Sequence, residues 1–132
     1  MDYKIYCLIS LLGWGLWGFG SKILGKYFHP FHLSFFSNVG TVLFLCLFLF
    51  KFSLPFNKFS LYALINGLIA GVGTMGFYFA LSKGEASVVF PITSLYIIFP
   101  VILGYVILKE PITFKHLLGF IFSLIAIYLL SS

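Results

Sequence analysis

Long apolar segments, separated by short stretches that carry most of the charged residues, dominate the hydropathy pattern of this chain. Each segment has about 20 residues, which is the length that an α-helix needs to cross a bilayer core of roughly 30 Å. The pattern therefore predicts five membrane-spanning helices. Their approximate bounds are 5–24, 32–50, 60–82, 87–108 and 114–130.

The composition favours an integral membrane protein over a soluble domain. Hydrophobic residues make up 61% of the 132 residues and charged residues only 8%, and a soluble domain of this size cannot bury so much apolar surface. Backbone groups in lipid must be satisfied internally, and continuous apolar runs lack the alternation of barrel strands. We predict one all-α transmembrane domain over residues 1–132, a bundle of five helices in contact with the lipid bilayer of the plasma membrane.

The charged residues fall at the ends of the predicted spans or in the connections, where long side chains can reach water. The net charge of +5 does not indicate nucleic-acid binding, because the lysines are divided between the two membrane faces instead of forming one basic stripe. Five lysines share the face of the N-terminus and three lie on the other face. This small bias favours a cytoplasmic N-terminus and also permits insertion in both orientations.

The residues that most often bind metals or carry catalysis have no suitable spacing here. Cys7 and Cys46 lie inside separate spans, and His29, His32 and His116 lie at the membrane edges. The spans contain no nucleophile with a nearby base and no metal cluster. We therefore expect no catalytic residue, no metal site and no cofactor, and we do not expect an enzyme.

Small and polar residues recur on one face of several spans. Lipid tails are apolar, so such faces are expected to turn towards protein or towards a water-filled space. Packing between helices is one explanation. A cavity wall is the other, and it suits Trp14 and Trp17, which share a face with serines near the middle of a span rather than at headgroup depth. We predict that a substrate cavity is lined by Trp14, Trp17, Asn38, Tyr78, Thr93 and Tyr96.

The fourth span contains two prolines, Pro91 and Pro100, and we predict a helix kink there. A helical proline donates no amide hydrogen and clashes with the carbonyl four residues earlier, so Pro100 should free the carbonyl of Tyr96 and bend the helix. In lipid that carbonyl needs another partner. The kinked helix could be a substrate path or a hinge, and a static kink satisfied by packing is the alternative.

Several landmarks follow one another in a fixed order along the chain. They are Trp14-Gly15, Tyr78, Ala80-Leu81-Ser82, Ala86-Ser87-Val88-Val89, Pro91, Pro100, Gly104, Leu108, Glu110, Thr113 and Gly119. This ordered set resembles an EamA-type repeat of the drug/metabolite transporter superfamily. The resemblance covers essentially the whole chain and implies a single-repeat, five-span member.

Most members of that superfamily carry two such repeats in inverted topology, around a central cavity that opens alternately to each side. A parallel dimer of a chain with five spans cannot reproduce this inverted pair. The resemblance therefore implies an antiparallel homodimer of dual-topology chains, or pairing with a second single-repeat half inserted in the opposite direction.

The predicted spans contain no Asp or Glu, whereas the four-span multidrug relatives use an embedded carboxylate to bind protons or cationic drugs. Burying a cation without a counter-charge is costly. We therefore expect alternating-access transport of a small uncharged or zwitterionic metabolite, either passive or indirectly coupled. A non-transporting accessory membrane subunit and an obligate heterodimer half are the alternatives.

Glu110 has two possible interpretations. The resemblance implies a glutamate at this position, which suggests a functional role. The local sequence equally fits a loop acid beside the N-terminus of the last span, with Thr113 as the N-cap residue. We favour the structural role.

Overall fold

The computed structural model describes residues 2–49, 51, 52 and 54–131. Over these residues the regular secondary structure is helical and no strand occurs, so the predicted all-α fold is confirmed. The α-helices in chain order are α1 (Tyr3–Leu24), α2 (Pro30–Cys46), α3 (Lys58–Lys83), α4 (Ala86–Ser94), α5 (Ile98–Leu108) and α6 (Phe114–Ser131). A 3₁₀ turn, Leu95–Ile97, connects α4 directly to α5.

Three helical stretches of the described chain are long and apolar enough to cross a membrane. These are α1, α3 and the continuous stretch Ala86–Leu108, and the shorter α2 and α6 are also apolar. The 17 residues of α2 rise about 25 Å at ~1.5 Å per residue. The second span was expected to reach Phe50, which lies outside the described residues.

The apolar segment that contains α2 continues beyond Cys46 in tighter turns. The amides of Leu47, Phe48 and Leu49 donate to the carbonyls three residues earlier, over 3.2, 3.0 and 3.1 Å. This i to i−3 pattern is that of a 3₁₀ turn, which often ends an α-helix. The α-helix therefore stops before the hydrophobic run does.

The chain forms two compact units, Met1–Lys83 and Gly84–Ser132. Within the first unit, α3 packs mainly along α2 and touches α1 more sparingly. Within the second unit, α4 packs along α6. Most large apolar side chains of both units are exposed to their surroundings, as expected for helices whose solvent is lipid.

Side-chain caps mark where the helices of the first unit begin. The Asp2 carboxylate accepts from the Lys4 amide at 3.3 Å, and His29 Nδ1 accepts from the Phe31 amide at 3.3 Å. The Asn57 side-chain oxygen accepts from the amides of Phe59 and Ser60 at the start of α3. Each cap satisfies amides that have no partner within the helix.

The start of α6 carries a reciprocal cap. Thr113 Oγ1 accepts from the His116 amide at 3.3 Å, and the Thr113 amide donates to His116 Nδ1 at 3.4 Å. This is the arrangement of a capping box with an imidazole in place of the usual carboxylate. The prediction of Thr113 as the N-cap residue is confirmed.

The two prolines of the fourth span differ in position. Pro91 lies inside α4, whereas Pro100 lies in the first turn of α5, directly after the 3₁₀ turn. Because the 3₁₀ turn joins α4 directly to α5, helical carbonyls still precede Pro100, and Pro100 cannot donate an amide hydrogen to the carbonyl of Tyr96. The Ile98 amide donates to the carbonyl of Leu95, three residues earlier, which is the pattern of the 3₁₀ turn. A role of this segment as a substrate path or hinge stays a prediction.

Candidate functional site

A cavity of about 430 Å³ lies in the first unit, between α1, α2 and the last part of α3. Two kinds of side chain line it: groups that can form hydrogen bonds, and apolar or aromatic groups. The first kind comprises Trp17, Ser21, Ser37 and Tyr78, and the rest of the lining comprises Gly20, Leu24, Phe28, Leu33 and Phe36.

Trp17, which belongs to α1, contacts both of the other helices around this cavity. Its indole Nε1 donates to Ser37 Oγ at 3.0 Å, which joins α1 to α2. Its ring stacks on Phe77 of α3, with ring centroids 5.3 Å apart and an angle of 26° between the planes. An indole nitrogen can only donate, so Ser37 accepts this bond and keeps its own hydroxyl proton for another acceptor.

Tyr78 forms the most deeply buried part of the lining. Its side chain is 2% exposed, and its hydroxyl lies 3.3 Å from Ser21 Oγ, where either group can donate. The ring of Tyr78 meets Trp17 edge to face, with centroids 5.9 Å apart. Two hydroxyls and two aromatic rings are thus held in fixed positions by one another.

The charged residue nearest to these groups in the sequence, Lys22, is directed elsewhere. Its ammonium group donates to the carbonyl of Leu81 at 3.0 Å, near the end of α3. Among the described residues that line the cavity there is no charged side chain. The site can therefore offer hydroxyl, phenol and indole groups together with aromatic faces to a bound molecule.

The structure brings Trp17 and Tyr78 together at this cavity and places two other predicted residues elsewhere. Trp14 is 65% exposed and does not border this cavity. Asn38 uses its amide nitrogen to donate to the carbonyl of Ser34 in its own helix at 2.8 Å. For all four residues, a role in a substrate cavity stays a prediction.

Thr93 and Tyr96 belong to the second unit. Thr93 Oγ1 donates to the carbonyls of Val89 and Phe90 in α4, at 2.8 and 3.1 Å. Such bonds back to the preceding turn often bend a helix. Tyr96 lies in the 3₁₀ turn and is 59% exposed. A place for both residues in the cavity also stays a prediction.

Ser21 and Ser37 are functional candidates that the sequence prediction did not include. Both lie on the polar stripes of their spans: Ser21 follows Trp17 by one helical turn, and Ser37 precedes Asn38. The spacing of Trp17 and Ser21 was enough to place them on one face. The partner of each hydroxyl could not be derived, because it lies on another helix.

The fold is all-α with apolar helices, and the cavity is lined by neutral polar groups. The amino-acid sequence adds the observation that decides the family, since residues 3–132 match the model of the EamA-like transporter family. The chain belongs to this family. The EamA-like resemblance that the ordered landmarks predict is confirmed over nearly the whole chain, and with it the assignment to a superfamily of membrane transporters.

A relative of this EamA-like chain is an uncharacterized protein of Methanocaldococcus jannaschii. The two are 36% identical over 75 residues, which make up 57% of this chain and 55% of that protein. The match thus spans about half of the relative's length. No solved structure matches the chain.

Proposed function

We propose that this EamA-like chain transports a small uncharged or zwitterionic metabolite, and that the cavity around Trp17, Ser37 and Tyr78 binds it. The observation that carries the proposal is the lining, which offers hydrogen-bonding groups and aromatic faces but no charged side chain among its described residues. A volume of about 430 Å³ suits a small metabolite, since small-molecule sites typically measure roughly 300–1,000 Å³.

The proposed substrate class follows from electrostatics. A net cation or anion in this cavity would have no counter-charge from the lining, and that is costly inside a membrane. A zwitterion carries its own counter-charge, and a neutral solute needs none. The Ser37 hydroxyl, with its proton still available, is the donor for a carbonyl or carboxylate oxygen of the solute.

We further propose that the chain works by alternating access as half of an inverted-repeat pair in the plasma membrane. One repeat forms only one side of a transport cavity. Alternating access requires a second repeat that moves against the first. An antiparallel homodimer would provide it, as would a second single-repeat chain with opposite insertion. The nearly even division of lysines between the two membrane faces supports either arrangement.

Counterflow into sealed liposomes that contain the purified chain tests this function. Four labelled solutes of similar size are compared: one neutral, one zwitterionic, one cationic and one anionic. We expect saturable counterflow of the neutral and zwitterionic solutes only, and recovery of the solute chemically unchanged. Preferential counterflow of the cation would contradict the proposal.

The same liposomes separate the alternatives. Flux that appears only after a second single-repeat protein is added would identify an obligate heterodimer half. No flux under either condition, with the chain still helical by circular dichroism, would favour a non-transporting accessory subunit.

A further inference from the structure

The second unit contains a cavity of its own, of about 680 Å³, between α5 and α6. Its walls are largely apolar, and its polar groups include Tyr105, Glu110 and His116. The apolar lining comprises Val101, Ile102, Pro111, Ile112, Leu117 and Phe120. Glu110 and His116 belong to the connection between the two helices and to the first turn of α6, which is the level at which lipid headgroups lie.

The backbone at the end of α5 directs Glu110 back towards the helix. Lys109 adopts the left-handed conformation with φ 58°, and the Glu110 amide then donates to the carbonyl of Gly104 at 3.2 Å. This bond reaches back six residues, one more than the bond from C″ to C3 in a Schellman motif. It turns the chain so that Glu110 lies beside the last turns of α5 instead of extending away from them.

The carboxylate of Glu110 lies directly over Gly104. A Cβ atom at position 104 would lie 2.9 Å from Glu110 Oε2, closer than real side chains approach each other. Glycine is therefore what allows the carboxylate to occupy this place. Among the described residues, no side chain forms an ion pair or hydrogen bond with it.

A second cavity, of about 310 Å³, shares part of its lining with the first. The two cavities share Tyr105, Glu110 and Pro111, and the smaller one also includes Lys109. Glu110, which has no side-chain partner among the described residues, thus lines both a largely apolar cavity and a smaller one that Lys109 also lines.

We propose that these adjoining cavities bind an aminophospholipid. Its primary ammonium group binds Glu110, its phosphate lies towards Lys109, and an acyl chain lies along the apolar wall between α5 and α6. The site is separate from the cavity of the first unit, so the inference does not depend on the proposed transport function.

Two observations favour a lipid over a soluble amine, and a third favours an aminophospholipid over an anionic lipid. The site lies in a connection between two membrane helices, at headgroup depth. Its apolar walls are accessible from outside the chain, with Val101 43% and Leu117 50% exposed. An anionic lipid would leave Glu110 without a counter-charge, whereas a primary ammonium group supplies both charge and three N–H donors.

Native mass spectrometry of the full chain, purified in detergent, tests the proposal. Phosphatidylethanolamine, phosphatidylcholine and phosphatidylglycerol with identical acyl chains are added in equal amounts. We expect phosphatidylethanolamine to be bound ~tenfold more often than either competitor, because only its headgroup carries a cation with N–H donors for the carboxylate. Equal binding of the three lipids would overturn the proposal.

Two variants test whether the preference for phosphatidylethanolamine depends on the carboxylate of Glu110. Glu110→Gln removes the charge and should reduce phosphatidylethanolamine to the level of phosphatidylcholine. Gly104→Ala keeps the charge but displaces the carboxylate, and should reduce the preference for phosphatidylethanolamine several-fold. The fold should tolerate this substitution, because a Cβ at position 104 has only the Glu110 carboxyl group within 4 Å. Glu85→Gln is the matched control, since Glu85 begins α4 without a side-chain cap bond, and it should keep the full preference.

Competing occupants give different results in the same experiment. A preference for phosphatidylethanolamine that survives Glu110→Gln would overturn the assignment of the ammonium site. Stronger binding of phosphatidylcholine would indicate an aromatic site for a trimethylammonium group instead. Displacement of the lipid by free ethanolamine at millimolar concentration would assign the carboxylate to a soluble amine and likewise contradict the proposal.

Discussion

The indole nitrogen of Trp17 donates a hydrogen bond to the hydroxyl of Ser37 at 3.0 Å, and the same indole ring stacks on α3. One side chain thus connects all three helices of the first unit at the border of its cavity. Because Ser37 accepts this bond, its own proton remains available to a bound solute. A structural contact and a proposed substrate contact therefore depend on the same pair of residues.

Replacing the indole of Trp17 should weaken solute binding. Trp17→Phe keeps an aromatic ring but removes the donor, so the Ser37 hydroxyl is free to rotate and loses its fixed orientation. If the solute loses a hydrogen bond to Ser37 of similar strength to a bond between membrane helices, about 0.6–2 kcal/mol, KM should rise roughly 3- to 30-fold. Counterflow kinetics in liposomes, at equal amounts of reconstituted protein, measure this change.

Trp14→Phe tests whether Trp14 contacts the solute, as the sequence predicts, or lies outside the solute site, as it lies outside the observed cavity. Trp14 is on the same helix and is 65% exposed, outside the lining of this cavity. If the cavity of the first unit is the whole solute site, Trp14→Phe should leave KM within about twofold of the original value. An effect as large as that of Trp17→Phe would favour the wider lining that the sequence predicts.

The buried hydroxyl pair should contribute to stability as well as to the site. Tyr78→Phe removes the partner of Ser21, and a buried hydrogen bond of this kind contributes about 0.5–1.5 kcal/mol to the free energy of unfolding. Tyr62→Phe is a matched control, because Tyr62 is on the same helix and 60% exposed. Unfolding in mixed micelles should show a lower midpoint for Tyr78→Phe only.

A double-mutant cycle with Ser21→Ala shows whether the loss belongs to this pair. Since the two hydroxyls are in contact, the effects of the two substitutions should not add. Additive effects would mean that each hydroxyl acts through a different partner.

The cap of α6 gives a local test of the second unit. Thr113→Val removes the oxygen that accepts from the His116 amide and should destabilise the first turn of α6 by about 0.5–2 kcal/mol. Hydrogen exchange of the amides of residues 114–117 should accelerate accordingly. Thr113→Ser keeps the acceptor and should retain most of the protection. Equal exchange in all three proteins would show that the cap is not what holds this turn.

The proposed inverted pair makes a prediction about membrane orientation. Paired reporters that are active on opposite sides of the membrane, fused after residue 132, should both give signal if the chain inserts both ways, and crosslinking should trap dimers in the same membranes. Signal from the outer face alone would place the N-terminus in the cytoplasm and require an oppositely inserted partner. That result without any such partner would contradict the inverted-pair proposal.

Hydropathy was sufficient to predict the all-α class, because an apolar run in lipid can satisfy its backbone in few ways. The end of α2 was harder to predict. The run stays apolar beyond Cys46, and hydropathy does not distinguish α-helical from 3₁₀ hydrogen bonding. The polar end of the last connection was more informative, since Thr113 has a residue type and position that favour an N-cap.

Only part of the candidate site was predictable, because helical spacing does not reveal contacts between helices. Helical spacing places Trp14, Trp17 and Ser21 near one face of α1, but it does not tell how far a neighbouring helix extends along that face. The cavity of the first unit therefore includes Trp17 and Ser21 and leaves out Trp14. The position of Glu110 over Gly104 was also not predictable, because it depends on the left-handed backbone of Lys109.

The most direct measurement of the central proposal uses the two tryptophans of the chain, Trp14 and Trp17, as separate reporters. With excitation that is selective for tryptophan over the eight tyrosines, only Trp17 reports in the Trp14→Phe protein and only Trp14 in the Trp17→Phe protein. Titration with the transported solute should change the Trp17 emission and saturate near the concentration that half-saturates counterflow, while Trp14 emission stays constant. A constant Trp17 emission while counterflow saturates, or a response of Trp14 alone, would contradict binding in the cavity of Trp17, Ser37 and Tyr78.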